Sequence, residues 1–168
     1  MNDLALAYVA RFSTSAGKLR AYLARKLRER GFDGEEGPDV DALVDRFVER
    51  GYGDDEAYGR AKAGGLLARG YGARRVDDAL RAADLDENLR TDLAPGENDR
   101  RLAVLALARR RRFGPFGQLA LAQGEERHKL REKQLAALMR AGHDFAHARQ
   151  VCEAATPEEL ERWVAEDQ

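Results

Sequence analysis

The sequence predicts an all-α protein made of repeated three-helix modules, and three observations support this fold class. No segment shows sustained alternation of apolar and polar residues or a cluster of β-branched residues, so no strand is expected. All four prolines, at positions 38, 95, 115 and 157, fall at breaks between stretches of helical periodicity. A basic amphipathic helix followed by a turn recurs three times, ending at Gly31, Asp84 and Gly142, and this spacing of roughly 50 to 60 residues suits an array of helical repeats.

This organisation predicts three modules and a terminal helix. The boundaries are 1–50, 51–95, 96–155 and 156–168, with an insertion near 113–126. Each repeat would bury its apolar face on its neighbour, which gives an elongated, curved body with a long groove. A single compact helical bundle is the alternative that the periodicity leaves open.

The first module is expected to hold three helices. The first runs from Leu4 to Phe12, and the second is capped within residues 13–15 and ends at Gly31, before a loop at Asp33–Pro38. The third is capped by Asp39 and has the clearest apolar stripe of the chain. Its inward residues are expected to be Val40, Leu43, Val44, Phe47 and Val48.

The second module begins with a helix opened by the pair Asp54–Asp55, where a helix N-terminus favours negative charge. The residues expected on its inward side are Tyr58, Ala61, Gly65 and Ala68. Gly70 and Gly72 end this helix, and a second amphipathic helix follows. Its inward residues are Val76, Ala79, Leu80 and Ala83. A third helix is expected from Asp86 to just before Pro95.

The third module starts with a helix from Glu97 to Arg112, which the sequence FGPFG at 113–117 must break. Another helix resumes near Glu125 and runs to Gly142. The inward residues of these two helices are expected to be Leu102, Leu105, Ala106, Leu135, Leu138 and Met139.

Two capped helices complete the chain. Asp144 is expected to cap a helix with Phe145, Ala148, Val151 and Cys152 inward. Thr156, Pro157 and Glu159 form a strong helix start, with Glu159 completing a capping box.

Composition limits the possible functions. The chain has 29 basic and 30 acidic residues, and a protein that only grips phosphate is usually more basic than this. The single cysteine allows no internal disulfide, which suits a reducing cytoplasm. No apolar run approaches the ~20 residues that span a bilayer, and the N-terminus lacks the order of a signal peptide. A cytoplasmic monomer with no membrane partner is therefore expected.

No catalytic constellation is apparent. His143 and His147 have the i, i+4 spacing of metal ligands but lack an accompanying third ligand, so no metal site is expected. Cys152 lies on an apolar stripe, where a buried thiol is inert. The pair Asp54–Asp55 is better explained by helix capping than by acid–base chemistry. We therefore expect no enzyme, no cofactor and no catalytic residue.

Basic residues are the candidates for function. Arg74 and Arg75 lie in the first turn of a helix, where the dipole disfavours cations, so their placement needs another reason. The run Arg109–Arg112 covers a full turn and cannot all pair locally, although solvated charge compatible with the helix dipole is an even alternative. The candidate contact residues are Lys18, Arg20, Arg69, Arg74, Arg75, Arg109, Arg110, Arg111, Arg112, Lys129, Arg131 and Lys133. If the modules stack, equivalent cations would line one face.

Several stretches resemble the bacterial RecX family. They are the opening LAYVARFSTSAGKLRAYLARKL, GYGDDEAY at 51–58, RGYGARRV at 69–76 and REKQLAALMRAGHDF at 131–145. The resemblance covers about residues 4–154, and the order and spacing of the stretches make it specific. Two departures are Asp84, where the family usually has glycine, and the insertion near 113–126.

The resemblance implies both a fold and a function. The fold is three tandem three-helix repeats, and the function is a non-enzymatic regulator that binds RecA filaments on single-stranded DNA. Such a regulator restrains recombinase activity in DNA repair, homologous recombination and the SOS response. The alternative is a free-standing DNA- or RNA-binding helical module, and an enzyme is a distant third.

Overall fold

The computed structural model describes residues 1–31 and 37–166 and confirms the all-α class. Within those residues there are ten α-helices and no strand. Most of the expected loop at Asp33–Pro38 lies outside the described residues, as do the last two residues of the expected terminal helix. None of the described helices is both long enough and apolar enough to cross a membrane.

The helices follow the order that the sequence predicts. They are α1 (Asn2–Arg11), α2 (Ala16–Arg30), α3 (Val40–Glu49), α4 (Asp55–Ala68), α5 (Ala73–Arg81), α6 (Glu87–Asp92), α7 (Glu97–Arg111), α8 (Gly124–Arg140), α9 (Phe145–Glu153) and α10 (Pro157–Ala165). Two short 3-10 turns, Gly114–Phe116 and Gln118–Ala120, occupy the break between α7 and α8.

Most helix starts are set by local capping side chains. Ser15, Asp39, Asp86, Asp144 and Thr156 each accept a hydrogen bond from the backbone N–H three residues later, as their sequence positions predict. The capping box at α10 is a partial exception. Its Glu159 carboxylate accepts from the backbone N–H of Ala155 (2.8 Å), one residue before the N-cap.

The chain divides into two compact units. Unit one comprises Met1–Ala61 and Leu80–Leu93, and unit two comprises Lys62–Ala79 and Ala94–Gln168. A buried cluster in unit one is formed by Ala5, Leu19, Leu23, Leu43, Val44 and Phe47. A larger cluster in unit two includes Val104, Leu107, Leu119, Leu138, Val151, Cys152 and Leu160. The division into three repeats and a terminal helix, and the elongated shape, stay predictions.

The expected inward face of α4 is wrong. Ala61, Gly65 and Ala68 are exposed, and the buried residues are Gly59, Ala63 and Leu66. The helix is rich in alanine and glycine, so its periodicity carries little information about which side is covered. At Gly59 a Cβ would lie 2.5 Å from Leu93 Cδ1 and 2.7 Å from Leu85 Cδ2, so close packing in unit one selects this side.

Four large apolar residues that were expected to face inward are instead exposed. They are Val48, Leu102, Met139 and Phe145. In α7 the buried residues Ala103, Val104, Leu105, Leu107 and Ala108 lie on several sides of the helix, which a single-stripe reading does not anticipate. Phe47 is only 2% exposed, as the α3 stripe predicts.

The start of α2 is tied to two later segments of unit one. The Ser15 hydroxyl donates to the carbonyl of Ala83 (2.6 Å), and the backbone N–H of Ala16 donates to the Asp55 carboxylate (2.8 Å). Burial raises the pKa of the Asp55 carboxyl. Asp54 caps its own helix by accepting from the N–H of Ala57, so both carboxylates have capping roles.

Asp84 packs directly on Gly17 in the same part of unit one. Asp84 has a φ of +60°, in the left-handed region that favours glycine. The three atoms nearest to a Cβ built on Gly17 all belong to the Asp84 side chain, and they leave no room for it. The Asp84 carboxylate also lies 3.7 Å from the guanidinium of Arg20.

This contact predicts strong coupling between substitutions at the two positions. Gly17→Ala in the parent protein should lower the free energy of unfolding by about 1–3 kcal/mol, because the new methyl group overpacks against Asp84. In an Asp84→Gly background the same substitution should be neutral or stabilising, since alanine is the better helix former. Urea denaturation of the four proteins measures the coupling energy. Additive effects of the two substitutions would contradict the described packing.

Candidate filament interface

Two of the RecX-like stretches meet in unit two. The turn at 69–72, between α4 and α5, lies against the turn at 141–144, between α8 and α9; we call them the paired turns. The N–H of Gly72 donates to the carbonyl of Ala141 (2.9 Å), and the N–H of Arg74 donates to the carbonyl of Gly142 (3.2 Å). These two stretches, far apart in the sequence, therefore form a single backbone-to-backbone contact.

Glycine is required on both sides of this contact. A Cβ at Gly72 would collide with the backbone of Gly142 and with the N–H of His143. Gly142 has a φ of +96°, and a Cβ there would lie 2.6 Å from the backbone nitrogen of Arg75. Any side chain at either glycine would force the two turns apart.

Arg74 holds the paired turns together. Its guanidinium Nη2 donates to the carbonyl of Met139 (2.6 Å), in the last turn of α8. A cation at the C-terminal end of a helix satisfies free carbonyl groups and complements the helix dipole. The α5 dipole disfavours a cation in its first turn, but from this position Arg74 can hydrogen-bond to a carbonyl at the end of α8. The sequence alone could not supply this reason.

Arg69 and Arg75 flank one aromatic ring on the same surface. Their guanidinium carbons lie 5.9 Å and 5.8 Å from the ring centroid of Tyr71. The Arg69 Nε also donates to the carbonyl of Gly65 (3.1 Å). Both arginines are exposed, so two cations are held near a ring at the surface of unit two.

The other candidate cations fall into two groups. One group has partners in the chain: Lys18 with the Tyr58 hydroxyl, Arg20 with Asp41, Arg109 with Glu161, Lys129 with Glu125, and Arg131 with Glu153. In the other group, no ion pair joins Arg110, Arg111, Arg112 or Lys133 to another described residue. Exposed ion pairs are weak, so a partner molecule can replace the acidic side chain in most of these pairs at little cost.

Unit one has a basic and aromatic surface that the sequence analysis missed. Tyr8 and Tyr22 stack with ring centroids 4.2 Å apart, and Phe12, 54% exposed, lies 5.3 Å from Tyr8. The guanidinium of Arg25 lies 5.6 Å from the Tyr22 ring centroid. A groove of about 700 Å³ runs along these rings, and its other charged lining residues are Arg11, Lys18 and Arg28. We call it the aromatic groove.

The aromatic groove had a visible sequence signal. Tyr8 and Phe12 are four residues apart on α1, and Tyr22 and Arg25 are three apart on α2. Rings at helical spacing usually mark a packed core, so this pattern alone does not indicate a binding surface. Only the structure shows that Phe12 remains exposed and that basic side chains surround the rings.

The histidines and the cysteine have structural surroundings. His143 is buried, and its Nε2 donates to the carbonyl of Gly70 (2.9 Å) within the paired turns. The ring nitrogens of His147 contact Glu97 (2.8 Å) and Asp144 (2.9 Å). Burial raises the pKa of the Cys152 thiol to about 11, so this thiol is protonated at neutral pH. Among the described residues, no three His, Cys, Asp or Glu side chains are grouped to hold a metal ion.

Comparison with known proteins finds two similar regulatory proteins. The protein named "Regulatory protein RecX" from Myxococcus xanthus is 32% identical over 162 residues, which cover 92% of this chain and 84% of that protein. A protein of the same name from Thermus thermophilus is 35% identical over 112 residues, which cover 66% of this chain and 75% of that protein. No family model matches the chain.

The environment of His143 predicts a pH dependence of stability. Burial lowers the pKa of His143, so as the pH falls the unfolded chain takes up the proton before the folded protein does. The contribution of His143 is therefore complete above its ordinary pKa of about 6.5 and is lost progressively below it. The parent protein should lose stability as the pH is lowered from about 7 to about 5.

A glutamine variant isolates this effect. His143→Gln keeps an amide N–H that can reach the Gly70 carbonyl, but it does not titrate. His128 and His147 are present in both proteins, so their contributions cancel in the comparison. Urea denaturation over a series of pH values should show a shallower dependence for the variant. Equal slopes would mean that His143 does not couple the paired turns to pH.

Proposed function

The chain belongs to the RecX family of regulatory proteins, and we propose on that premise that it binds RecA filaments on DNA and restrains the recombinase and ATPase activity of RecA. The observation that carries the proposal is the contact between the paired turns, which unites two RecX-like stretches in one surface. In this proposal the protein acts by binding and not by chemistry. Its expected cytoplasmic location and monomeric state stay predictions.

The surface of the paired turns suits a filament made of protein and nucleic acid. Arg69 and Arg75 lie beside Tyr71, and both arginines are exposed. Such a pair can contact phosphates or the carboxylates of a protein surface. The total charge of −1 disfavours simple coating of naked DNA, because long-range attraction to DNA is weak for a chain with balanced charge.

The proposed inhibition follows from occupancy. A regulator bound along the groove of the filament would cover surfaces that RecA needs for strand exchange. It would also compete with other partners for the same surfaces. This mode needs no cofactor.

Charge reversal at the two exposed arginines tests the proposal. Arg69→Glu/Arg75→Glu should fold normally, because neither guanidinium bridges the paired turns. Loss of a few exposed contacts of about 0.5–1 kcal/mol each should weaken inhibition about tenfold to a hundredfold. The measurement is a titration of RecA ATP hydrolysis on single-stranded DNA, with circular dichroism and thermal melting to confirm folding.

The control variant reverses one charge in the first turn of α10 and one just after its last residue. Glu158→Lys/Glu166→Lys changes two exposed residues and should inhibit like the parent protein. Glu161 is unsuitable for this control because it pairs with Arg109. Full inhibition by the arginine variant would exclude the paired turns as the contact surface. A parent protein with no effect on RecA would overturn the proposed function.

The aromatic groove supports a second candidate function, direct binding of single-stranded nucleic acid. Stacked or exposed rings surrounded by cations are the usual arrangement for binding bases and phosphates together. The groove is lined by Arg11, Lys18, Arg25 and Arg28 and by no acidic residue. This activity would operate without RecA and would fall steeply with added salt.

Substitution of the exposed ring tests this second function. Phe12→Ala should weaken binding of an oligothymidylate about fivefold to a hundredfold, because stacking on one base is worth about 1–3 kcal/mol. Phe145→Ala is the matched control, since Phe145 is also an exposed phenylalanine (52%) but lies in unit two. Fluorescence anisotropy measures both variants. Equal affinities of the Phe12 variant and the parent protein would rule out base stacking at this surface.

A further inference from the structure

A second groove opens in unit two beside the 3-10 turns that join α7 to α8. Its volume is about 880 Å³. We call it the α8 groove. The apolar part of its lining includes Phe113, Pro115, Leu121 and Leu130. Its charged lining residues are Arg111, Arg112, Lys133 and Arg140, and no Asp or Glu is among the residues that line it.

One side of the groove is a continuous stripe on α8. Leu130, Lys133, Gln134, Ala137 and Arg140 follow one another at helical spacing. The stripe is about 15 Å long from the helical rise, which is enough for about three turns of a bound helix or four to five residues of an extended chain. Leu130 and Ala137 are apolar, Lys133 and Arg140 are cationic, and Gln134 is buried, so an occupant of matching chemistry carries both apolar and anionic side chains.

Two hydrogen bonds hold the segment between α7 and α8 against α8. The N–H of Gly114 donates to the side-chain carbonyl of Gln134 (2.7 Å), which is buried. Arg127 donates to the carbonyl of Leu119 (2.6 Å), and the Leu119 side chain is also buried. The groove is therefore formed before any ligand arrives, and binding does not have to order its wall.

Two exposed side chains mark the edge of this groove. Leu121 is 85% exposed, which is unusual for a large apolar side chain. The backbone of Arg112 caps the end of α7 in the left-handed conformation (φ +54°), and its N–H donates to the carbonyls of Ala108 and Arg109. This cap leaves the Arg112 side chain exposed at the groove, so an apolar group and a cation are available to a ligand there.

We propose that the α8 groove binds an acidic segment of a partner protein that carries apolar side chains at helical spacing. Leu121 and Leu130 provide contacts for the apolar side chains, and the cations on the rim pair with the carboxylates. The proposal rests on the charge of the groove, which has four basic and no acidic lining residues. It goes beyond the proposed function and does not depend on it.

The lining favours a peptide over a nucleic acid. Phe113 and Phe116 pack against the buried cluster of unit two, and the guanidinium of Arg109 lies 5.8 Å from the Phe116 ring centroid. Both rings are therefore used in packing within unit two and are only partly exposed. The most exposed apolar side chain is the aliphatic Leu121, which offers no ring face. In contrast, the lining of the aromatic groove in unit one includes an exposed ring, that of Phe12.

Fluorescence anisotropy with a defined probe tests the proposal. The probe is a labelled peptide of Glu and Asp with leucines at i and i+4, and the comparison peptide has Lys in place of each acid. The parent protein should bind the acidic peptide only, and added salt should weaken binding. Arg111→Glu/Lys133→Glu should weaken it about tenfold or more, and Leu121→Ser about threefold to tenfold.

A matched variant controls for the change in net charge. Arg46→Glu/Arg50→Glu reverses two exposed cations of unit one and should bind the peptide like the parent protein.

Unchanged binding by Arg111→Glu/Lys133→Glu would overturn the proposal. So would displacement of the peptide by oligothymidylate with the same dependence on these residues, which would identify a nucleic-acid site. Sedimentation that shows a dimer lost in Leu121→Ser would assign the groove to a second copy and also overturn it. RecA is absent from these assays, so their outcome leaves the proposed function untouched.

Discussion

The arrangement of unit two depends on the close approach of two glycine backbones. Because neither Gly72 nor Gly142 has a Cβ, the backbone at the start of α5 can donate hydrogen bonds to the carbonyls of Ala141 and Gly142, which follow the end of α8. The same approach brings Arg74 to the Met139 carbonyl and Gly70 to the ring of His143. The RecX-like stretches at 69–76 and 131–145 are thus the two halves of one contact, which gives their sequence pattern a physical cause.

Unit one also joins distant segments through hydrogen bonds and a close approach at a glycine. The start of α2 is held by the Asp55 carboxylate and by the Ser15 hydroxyl, which donates to the carbonyl of Ala83 in the turn after α5. Gly17 then allows Asp84 to pack against the first turn of α2. Asp84 occupies a left-handed position that favours glycine, and its side chain places a carboxylate near Arg20.

Local features of this fold could be predicted from the sequence, and features that depend on distant contacts could not. Asp39 and Asp144 mark helix starts because their capping bonds span only three residues. The reason for Arg74 lies 65 residues away at Met139, where no local pattern points. The covered side of α4 was misassigned because small residues fit on either side, and packing at Gly59 decides between them. The FGPFG sequence predicted a break but not the groove beside it.

A net charge near zero is compatible with recognition of a polyanionic filament because the charges of this chain differ in availability. Cations such as Arg20 and Arg131 already have carboxylate partners within the chain, and exposed pairs of this kind are worth about 0–1 kcal/mol. Arg75 lies beside an aromatic ring and Arg110 has no ion pair with another described residue. Such residues can contact an anion without first breaking an ion pair. Long-range attraction to bare DNA is weak for a balanced chain, so the proposed binding would depend on the geometry of a few exposed cations, which a filament of regular shape can match.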